Sequence, residues 1–362
     1  MDLATLIARL LADGSIPRLS ANVAAQFGSG RRRLLGAEIM PERLVPENSY
    51  KEESIRYRTV IANDGTRYSP TQLKKGELIG SFLVTLAESD IARELTGAEY
   101  DALLRFLQSN QSMDAMASIL RWLDTTVNQA LIENIERQRW EAIVDASVAL
   151  RGDNEYADTV AYSNPTGHRV NAGAQWSDDA NDPFDDIFAQ ADFLATKGFS
   201  VGRMVTSRAV VSILAGNEKV KQRVGPVAVT SGGQLAGVGG RATLAAINGV
   251  LSADGLPLIE TYDLQYRTST GTARFLKADA FVMVAETGRD ENLDLGDTEI
   301  EIVPDTLGYA AVGRPAGQSA PGRFIRMERK EDKPPRLEAE GWQTALPVIT
   351  EPEALAVIKA IT

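Results

Sequence analysis

The apolar positions of the chain change period several times, and the longest run of one period lies between Asp114 and Leu150. No proline or glycine falls between Asp114 and Arg151. Met116, Ile119, Leu120, Leu123, Val127, Leu131 and Ile135 recur at helical spacing, and Trp140, Ile143, Val144 and Val148 continue the pattern. Asp114 offers a cap at the start and Gly152 a stop at the end. The pattern predicts one helix over 114–150, roughly 55 Å long at about 1.5 Å per residue. Glu133, Arg137 and Glu141 stand one turn apart on its polar side. Asn134 and Gln138 interrupt a strict heptad, so the helix reads as a strut for other elements and not as half of a coiled coil.

Shorter periods flank this strut. Leu3, Leu6, Ile7, Leu10 and Leu11 give a small amphipathic helix over 1–12. Residues 14–37 hold no acidic residue but four arginines, Arg18, Arg31, Arg32 and Arg33, and read as an extended arm. Residues 50–86 alternate with period two on either side of Asn63-Asp64-Gly65, which predicts a long hairpin. Such a hairpin is marginal alone in water, so it lies on its own domain or on a neighbour. Glu88 to Gln108 reads as a helix. Short strand-like pieces at 160–162 and 168–170 bracket the turn Asn164-Pro165-Thr166-Gly167. Asp182-Pro183 opens a helix that runs to Thr196 and stops at Lys197-Gly198. A strand at 202–207 and a helix at 208–214 follow, then a glycine-rich loop at 231–240. The stretches 256–266 and 274–285 read as a hairpin of two half-buried strands around Ser269-Thr270-Gly271.

Composition narrows the function classes. The 362 residues suffice for two or three structural units, and 44% apolar with 24% charged residues is ordinary for a soluble globular protein. There is no cysteine, which excludes disulfides, zinc fingers and thiol catalysis. His168 is the only histidine; it sits beside a turn and reads as structural or solvated. The net charge of −11 is opposite in sign to that of a typical nucleic-acid binder. No apolar run approaches the roughly 20 residues of a membrane span, and the N-terminal helix lacks a signal peptide's cationic start, so a cytosol-like compartment is expected.

The candidate sites are weak. Gly232 and Gly237 have the spacing of a phosphate loop, but Val238 stands where its lysine belongs. Asp178, Asp179, Asp182, Asp185 and Asp186 cluster before a helix, and capping accounts for most of them. Asp290, Glu291 and the stretch Asp294 to Glu301 read as a solvated acidic loop. No catalytic, cofactor-binding or metal residue is nominated.

The order Trp176, Asp182-Pro183, amphipathic helix, Lys197-Gly198, strand Met204-Val205-Thr206-Ser207, then Leu214, Asn217 and Val220, is a family pattern. Tyr262, Tyr266, Gly271 and Phe275-Leu276 continue it, and Leu346-Pro347-Val348-Ile349 with Glu351 to Val357 closes it. In this order and spacing, roughly residues 50–362 resemble the lambda-type major capsid proteins of tailed phages, the major capsid protein E family.

That resemblance implies an α+β chain with the Hong Kong 97 capsid fold. Residues 1–45 would be the N-terminal arm and 46–86 the E-loop. Residues 87–180 would form the peripheral (P) domain around the spine helix 114–150, and 181–300 the axial (A) domain. Residues 301–345 would return to the P domain, and 346–362 would be a closing strand in the A domain. The implied function is non-enzymatic: a coat protein that assembles into the icosahedral head shell around phage DNA. The implied partners are its own copies in hexamers and pentamers, a portal, a separate scaffolding protein (the chain opens directly on its arm), and a decoration protein on the outside. Packaged DNA would meet only weak contacts through Arg31, Arg32 and Arg33, which suits a net negative subunit. Lys74 and Lys75 are candidates for the E-loop crosslinks that some capsids of this fold make. The implied location is the virion, after assembly in the host cytoplasm. A cellular encapsulin-like shell is the alternative of the same fold, and a soluble carboxylate enzyme the alternative from another class.

Overall fold

The computed structural model describes residues 32–56, 77–95, 97–108, 112–151, 157–225, 228–231, 234–238, 241–268, 271–286, 307–331, 333 and 335–360. A short helix α1 (Leu35–Ile39) leads to β1 (Glu42–Leu44), the hairpin β2 (Ser49–Arg56) and β3 (Glu77–Thr85), and β4 (Ala87–Leu95). Helix α2 (Gly97–Gln108) precedes α3 (Ser112–Leu123), a π-helical turn (Asp124–Asn128) and α4 (Gln129–Asp145). Strands β5 (Ser147–Arg151), β6 (Ala157–Ala161) and β7 (Arg169–Asn171) follow. Then come α5 (Pro183–Thr196), β8 (Val201–Thr206), α6 (Arg208–Gly216) and α7 (Glu218–Val224). A small hairpin β9 (Ala228–Ser231) and β10 (Gln234–Val238) leads to α8 (Leu244–Ala253). Next are β11 (Ile259–Thr261), β12 (Gln265–Arg267), β13 (Thr272–Arg274) and β14 (Ala280–Ala285). The chain closes with β15 (Gly308–Val312), β16 (Arg323–Lys330), β17 (Arg336–Ile349), a 3₁₀ turn (Pro352–Ala354) and β18 (Leu355–Lys359).

The long helix is present but is not one uniform α-helix over 114–150. It starts at Ser112, passes through the π turn and ends at Asp145. Thr125 and Thr126 donate to the carbonyls of Arg121 and Trp122, at 2.7 and 2.6 Å, a back-bonding that bends helices. Ala146 takes a left-handed φ of 52°, and its N–H bonds the Ala142 carbonyl. The chain then becomes the strand β5, so Gly152 is not the stop. Val148 and Leu150 are buried on alternate positions of that strand. The guanidinium of Arg169 seals the helix end. It donates to the carbonyls of Ala142, Ile143 and Val144, in the last turn, where a helix runs out of internal donors.

Two five-stranded sheets meet at this helix. In the first, β17 runs beside β4 on one edge, from Leu337↔Leu95 to Ala345↔Ala87. On its other edge β17 meets β16 through its first part and β15 through its last, and β1 adds parallel to β15. The second sheet has the order β11-β8-β14-β18-β7. One of its faces carries Met204, Phe281, Met283 and Ile358 beneath the layer of α5 to α8. Its other face carries Val205, Val282, Val284 and Val357, which join Trp140, Ile143 and Val144 of α4 and Tyr309, Ala311, Leu346 and Val348 of the first sheet. Helix α4 is thus enclosed from several sides.

Three further expectations change. Residues 88–95 are the strand β4 and not the start of a helix, because β17 offers them a full ladder of partners. The stretches 256–266 and 274–285 are not one hairpin. β12 and β13 make a short hairpin, while β14 is buried along its whole length between β8 and β18. The closing segment 346–362 is split: Leu346 to Ile349 finish β17 in the first sheet, and only β18 enters the second. The hairpin expected over 50–86 is present as β2 and β3, with the Asn63-Asp64-Gly65 turn, Lys74 and Lys75 outside the described residues.

Candidate functional site

The densest polar feature is a buried charged cluster where the N-terminal segment, α4 and both sheets converge. Glu136 is fully buried. Its carboxylate accepts the Gly36 N–H, the Trp140 indole N–H and the Tyr262 hydroxyl, each at 2.8 Å. Arg139, also buried, lies 3.4 Å from the other Glu136 oxygen and 3.6 Å from Glu42. Arg323 pairs with Glu42 and donates to the Gln343 side chain, whose amide donates in turn to the Leu131 carbonyl. The cluster therefore joins α1, β1, α4, β16, β17 and the residue that follows β11. Trp140 stacks on Tyr262 at 5.1 Å and completes it on the apolar side. Burial, with the Glu136 carboxylate beside it, pushes the Tyr262 hydroxyl far above the ordinary tyrosine value. Burial pulls Arg323 down, against the pull of Glu42. These bonds fix the relative positions of the elements that meet there.

The hairpin β2–β3 is fastened at its base. The Asn48 side chain donates to the Arg314 carbonyl at 2.6 Å and accepts the Arg314 N–H at 2.7 Å. The Leu86 N–H bonds the Asn48 carbonyl. A cleft of about 560 Å³ opens beside this joint, lined by Glu47, Asn48, Ser49, Arg314, Pro315, Ala316 and Gln318. Leu44 and Leu258 are the exposed large apolar side chains among the described residues.

The charged face expected on the long helix is not a wet face. Arg137 is buried and braces the turn into β5, donating to Glu141, Asn134 and the Ala149 carbonyl, while Glu141 accepts the Ala149 N–H. Of the arginine triplet, Arg32 donates to the Gln265 carbonyl and Arg33 makes a two-point pair with Glu38; Arg31 is outside the described residues. Glu38 also holds Arg203. The acidic cluster is spent locally. Asp182 caps α5, Asp186 accepts the Trp176 indole N–H, Asp179 accepts the Glu218 N–H, Asp178 accepts the Ala180 N–H, and Asp185 pairs with Arg223. Among the described residues no group of three His, Cys, Asp or Glu is placed to hold a metal. In the glycine-rich stretch, Ser231 and Gln234 to Val238 belong to an antiparallel hairpin, not to a strand-loop-helix unit; Gly232, Gly233, Gly239 and Gly240 are outside the described residues. No described helix is long and apolar enough to cross a membrane.

Trp176 and Asn217 turn out to be partners. The Asn217 amide donates to the carbonyls of Trp176, Asp178 and Asn181, while its oxygen caps α7 through the N–H groups of Lys219 and Val220. Trp176 packs edge-on against Phe281 of the second sheet.

No curated protein matches the chain. Among solved structures, it is similar to the putative capsid protein of a prophage of E. coli CFT073, with a TM-score of 0.57 at 13% identity, over 98% of this chain and 99% of that one. It is also similar to a phage-related protein of Bordetella bronchiseptica RB50, with a TM-score of 0.54 at 13% identity, over 95% of this chain and 96% of that one. An encapsulin complex of Synechococcus elongatus PCC 7942 is matched with a TM-score of 0.43 at 12% identity, over 94% and 95%. The model of the phage major capsid protein E family matches residues 55–360, which takes in the long helix and the core of both sheets, and the chain belongs to that family.

Proposed function

We propose that this major capsid protein builds its shell from hexamers and pentamers, with the second sheet and its helices as the A domain around each capsomer centre. The first sheet with α3 and α4 is then the P domain, α3–α4 its spine, and β2–β3 the E-loop laid across a neighbouring subunit. The family match over residues 55–360 is the observation that carries the reading. The joint of Asn48 with Arg314 supports the E-loop assignment, since a projecting hairpin needs a fixed base to transmit force. The role is structural, with no chemical step. Assembly proceeds in the host cytoplasm with a separate scaffolding protein and a portal. A net negative subunit grips the DNA inside only weakly, through local basic contacts such as the segment Arg31 to Arg33. Repetition of modest interfaces by symmetry supplies the stability.

Electron microscopy of the purified protein tests this. Closed shells with hexameric and pentameric rings are the expected result. Monomers or dimers only, under conditions where coat proteins assemble, would sink it. Neighbouring genes for terminase and portal are expected, and a neighbouring cargo-enzyme gene would favour a cellular compartment.

A further inference from the structure

The only histidine of the chain is fully buried at the foot of β7. Two bonds tie His168 to the last strand: Nδ1 lies 2.7 Å from the Leu355 carbonyl oxygen, and the His168 carbonyl accepts the Val357 N–H at 2.8 Å. A carbonyl only accepts, so Nδ1 carries the proton and the lone pair of the neutral ring is on Nε2. Nε2 is buried without a hydrogen-bond partner. The ring packs edge-on against Phe193 of α5 at 4.9 Å, and a Cβ at Gly167 would come within 3.0 Å of the same phenyl ring. The charged groups that face the imidazole are Glu353 of the 3₁₀ turn, Lys197 at the end of α5 and Arg169 of β7. Glu353 is paired with Lys197 at 3.6 Å, and Arg169 is committed to the carbonyls of α4. A proton on Nε2 would be a buried donor without an acceptor, near two cations and one carboxylate already in use. Burial accordingly holds the imidazole below its ordinary value.

We propose that His168 is an acid-released clasp on β18. The neutral ring fastens β18, which β14 and β7 flank, to the turn before β7. The protonated ring gains by reaching water, and that movement breaks the Leu355 bond and strains the Val357 bond. Mild acid then loosens the end of the chain first, while α4 and the first sheet keep their packing.

The direction follows from linkage. The open state takes up a proton near the ordinary histidine value of 6.5, whereas the closed state resists it. The clasp is at full strength above about pH 6.5, and below it the ratio of closed to open falls by up to about tenfold per pH unit.

Hydrogen exchange read by mass spectrometry on the purified protein, at pH 7.5 and 5.5 and corrected for intrinsic rates, tests the clasp. A peptide covering 355–359 is expected to lose about tenfold protection, with little change in a peptide from 129–145. His168→Asn keeps an N–H in reach of the Leu355 carbonyl but does not titrate, and is expected to remove the difference. Equal protection of 355–359 at both pH values in the natural protein overturns the proposal. So does an unchanged pH dependence in the Asn variant. If that variant does not fold, the natural protein decides alone: loss spread evenly over 355–359 and 129–145 refutes a local clasp.

Discussion

Gly36 shows how much one missing atom decides at the residue scale. A Cβ there would lie 2.8 Å from both carboxylate oxygens of Glu136, closer than side-chain carbons approach. Only glycine lets the backbone N–H of α1 reach that carboxylate. Gly36→Ala is expected to destabilise the fold by about 1–3 kcal/mol through overpacking, read by thermal or denaturant unfolding. Tyr262→Phe removes one donor to a charged acceptor and should cost about 1.5–3 kcal/mol. Glu136→Ala leaves Arg139 buried without its near partner, and a loss of about 3–5 kcal/mol is expected. An alanine variant that unfolds at the natural midpoint would remove Glu136 from the centre of the cluster. None of this was legible from period alone. Arg137 sits at helical spacing from Glu133 and Glu141, and the pattern assigns all three to water; Arg137 is buried where the chain turns back into β5 and the Ala149 carbonyl accepts from it.

At the scale of elements, the π turn has a cause that the sequence contains. Ile119, Leu123, Val127, Leu131 and Ile135 are all buried and lie four residues apart. On a helix of 3.6 residues per turn, each four-residue step drifts by about 40°. Over this run the stripe would wind off the sheet. One wide turn absorbs an extra residue and brings Leu131 and Ile135 back to face β17 and β15. The broken heptad was the visible half of this; the regular four-residue step was the half that explains it. Gly341 of β17 sits under the turn, where a Cβ would meet Val127 Cγ1 at 2.4 Å and Leu131 Cδ1 at 3.3 Å. Gly341→Ala should therefore destabilise by about 1–3 kcal/mol. Val127→Ala in the same chain should return part of that loss, with a coupling of about 0.5–3 kcal/mol in a double-mutant cycle. Strict additivity would mean that helix and strand do not bear on one another there. Strand β4 is the opposite case: its apolar positions mimic a helix, and only its partner β17, far away in sequence, makes it a strand.

At the scale of the whole molecule, the core and the hairpin β2–β3 are held by different sets of contacts. The two sheets share one apolar core through α4, and the buried charges of Glu136, Arg139, Glu42 and Arg323 lock α1 and β1 into it. The hairpin β2–β3 instead stands on the joint of Asn48 with Arg314, with Val84 and Leu86 as its buried roots. The order of motifs in the sequence sufficed to place hairpin, helix and sheets in one family. It did not show that the closing segment belongs to two sheets, because pairing partners are not encoded by period. The separation yields a test of the E-loop reading. Replacing residues 57–76 by a short Asn-Gly turn keeps the described strand pairs of β2 and β3 and should leave far-UV dichroism and the unfolding midpoint nearly unchanged. The same change should abolish closed shells in electron micrographs, since a subunit then loses its grip on its neighbour but not its core. Intact shells from the shortened chain would show that subunits hold one another through the two sheets alone. An unfolded product would show that the hairpin belongs to the core, and the joint at Asn48 would then be a packing contact and not the fixed base of a loop that holds a neighbour.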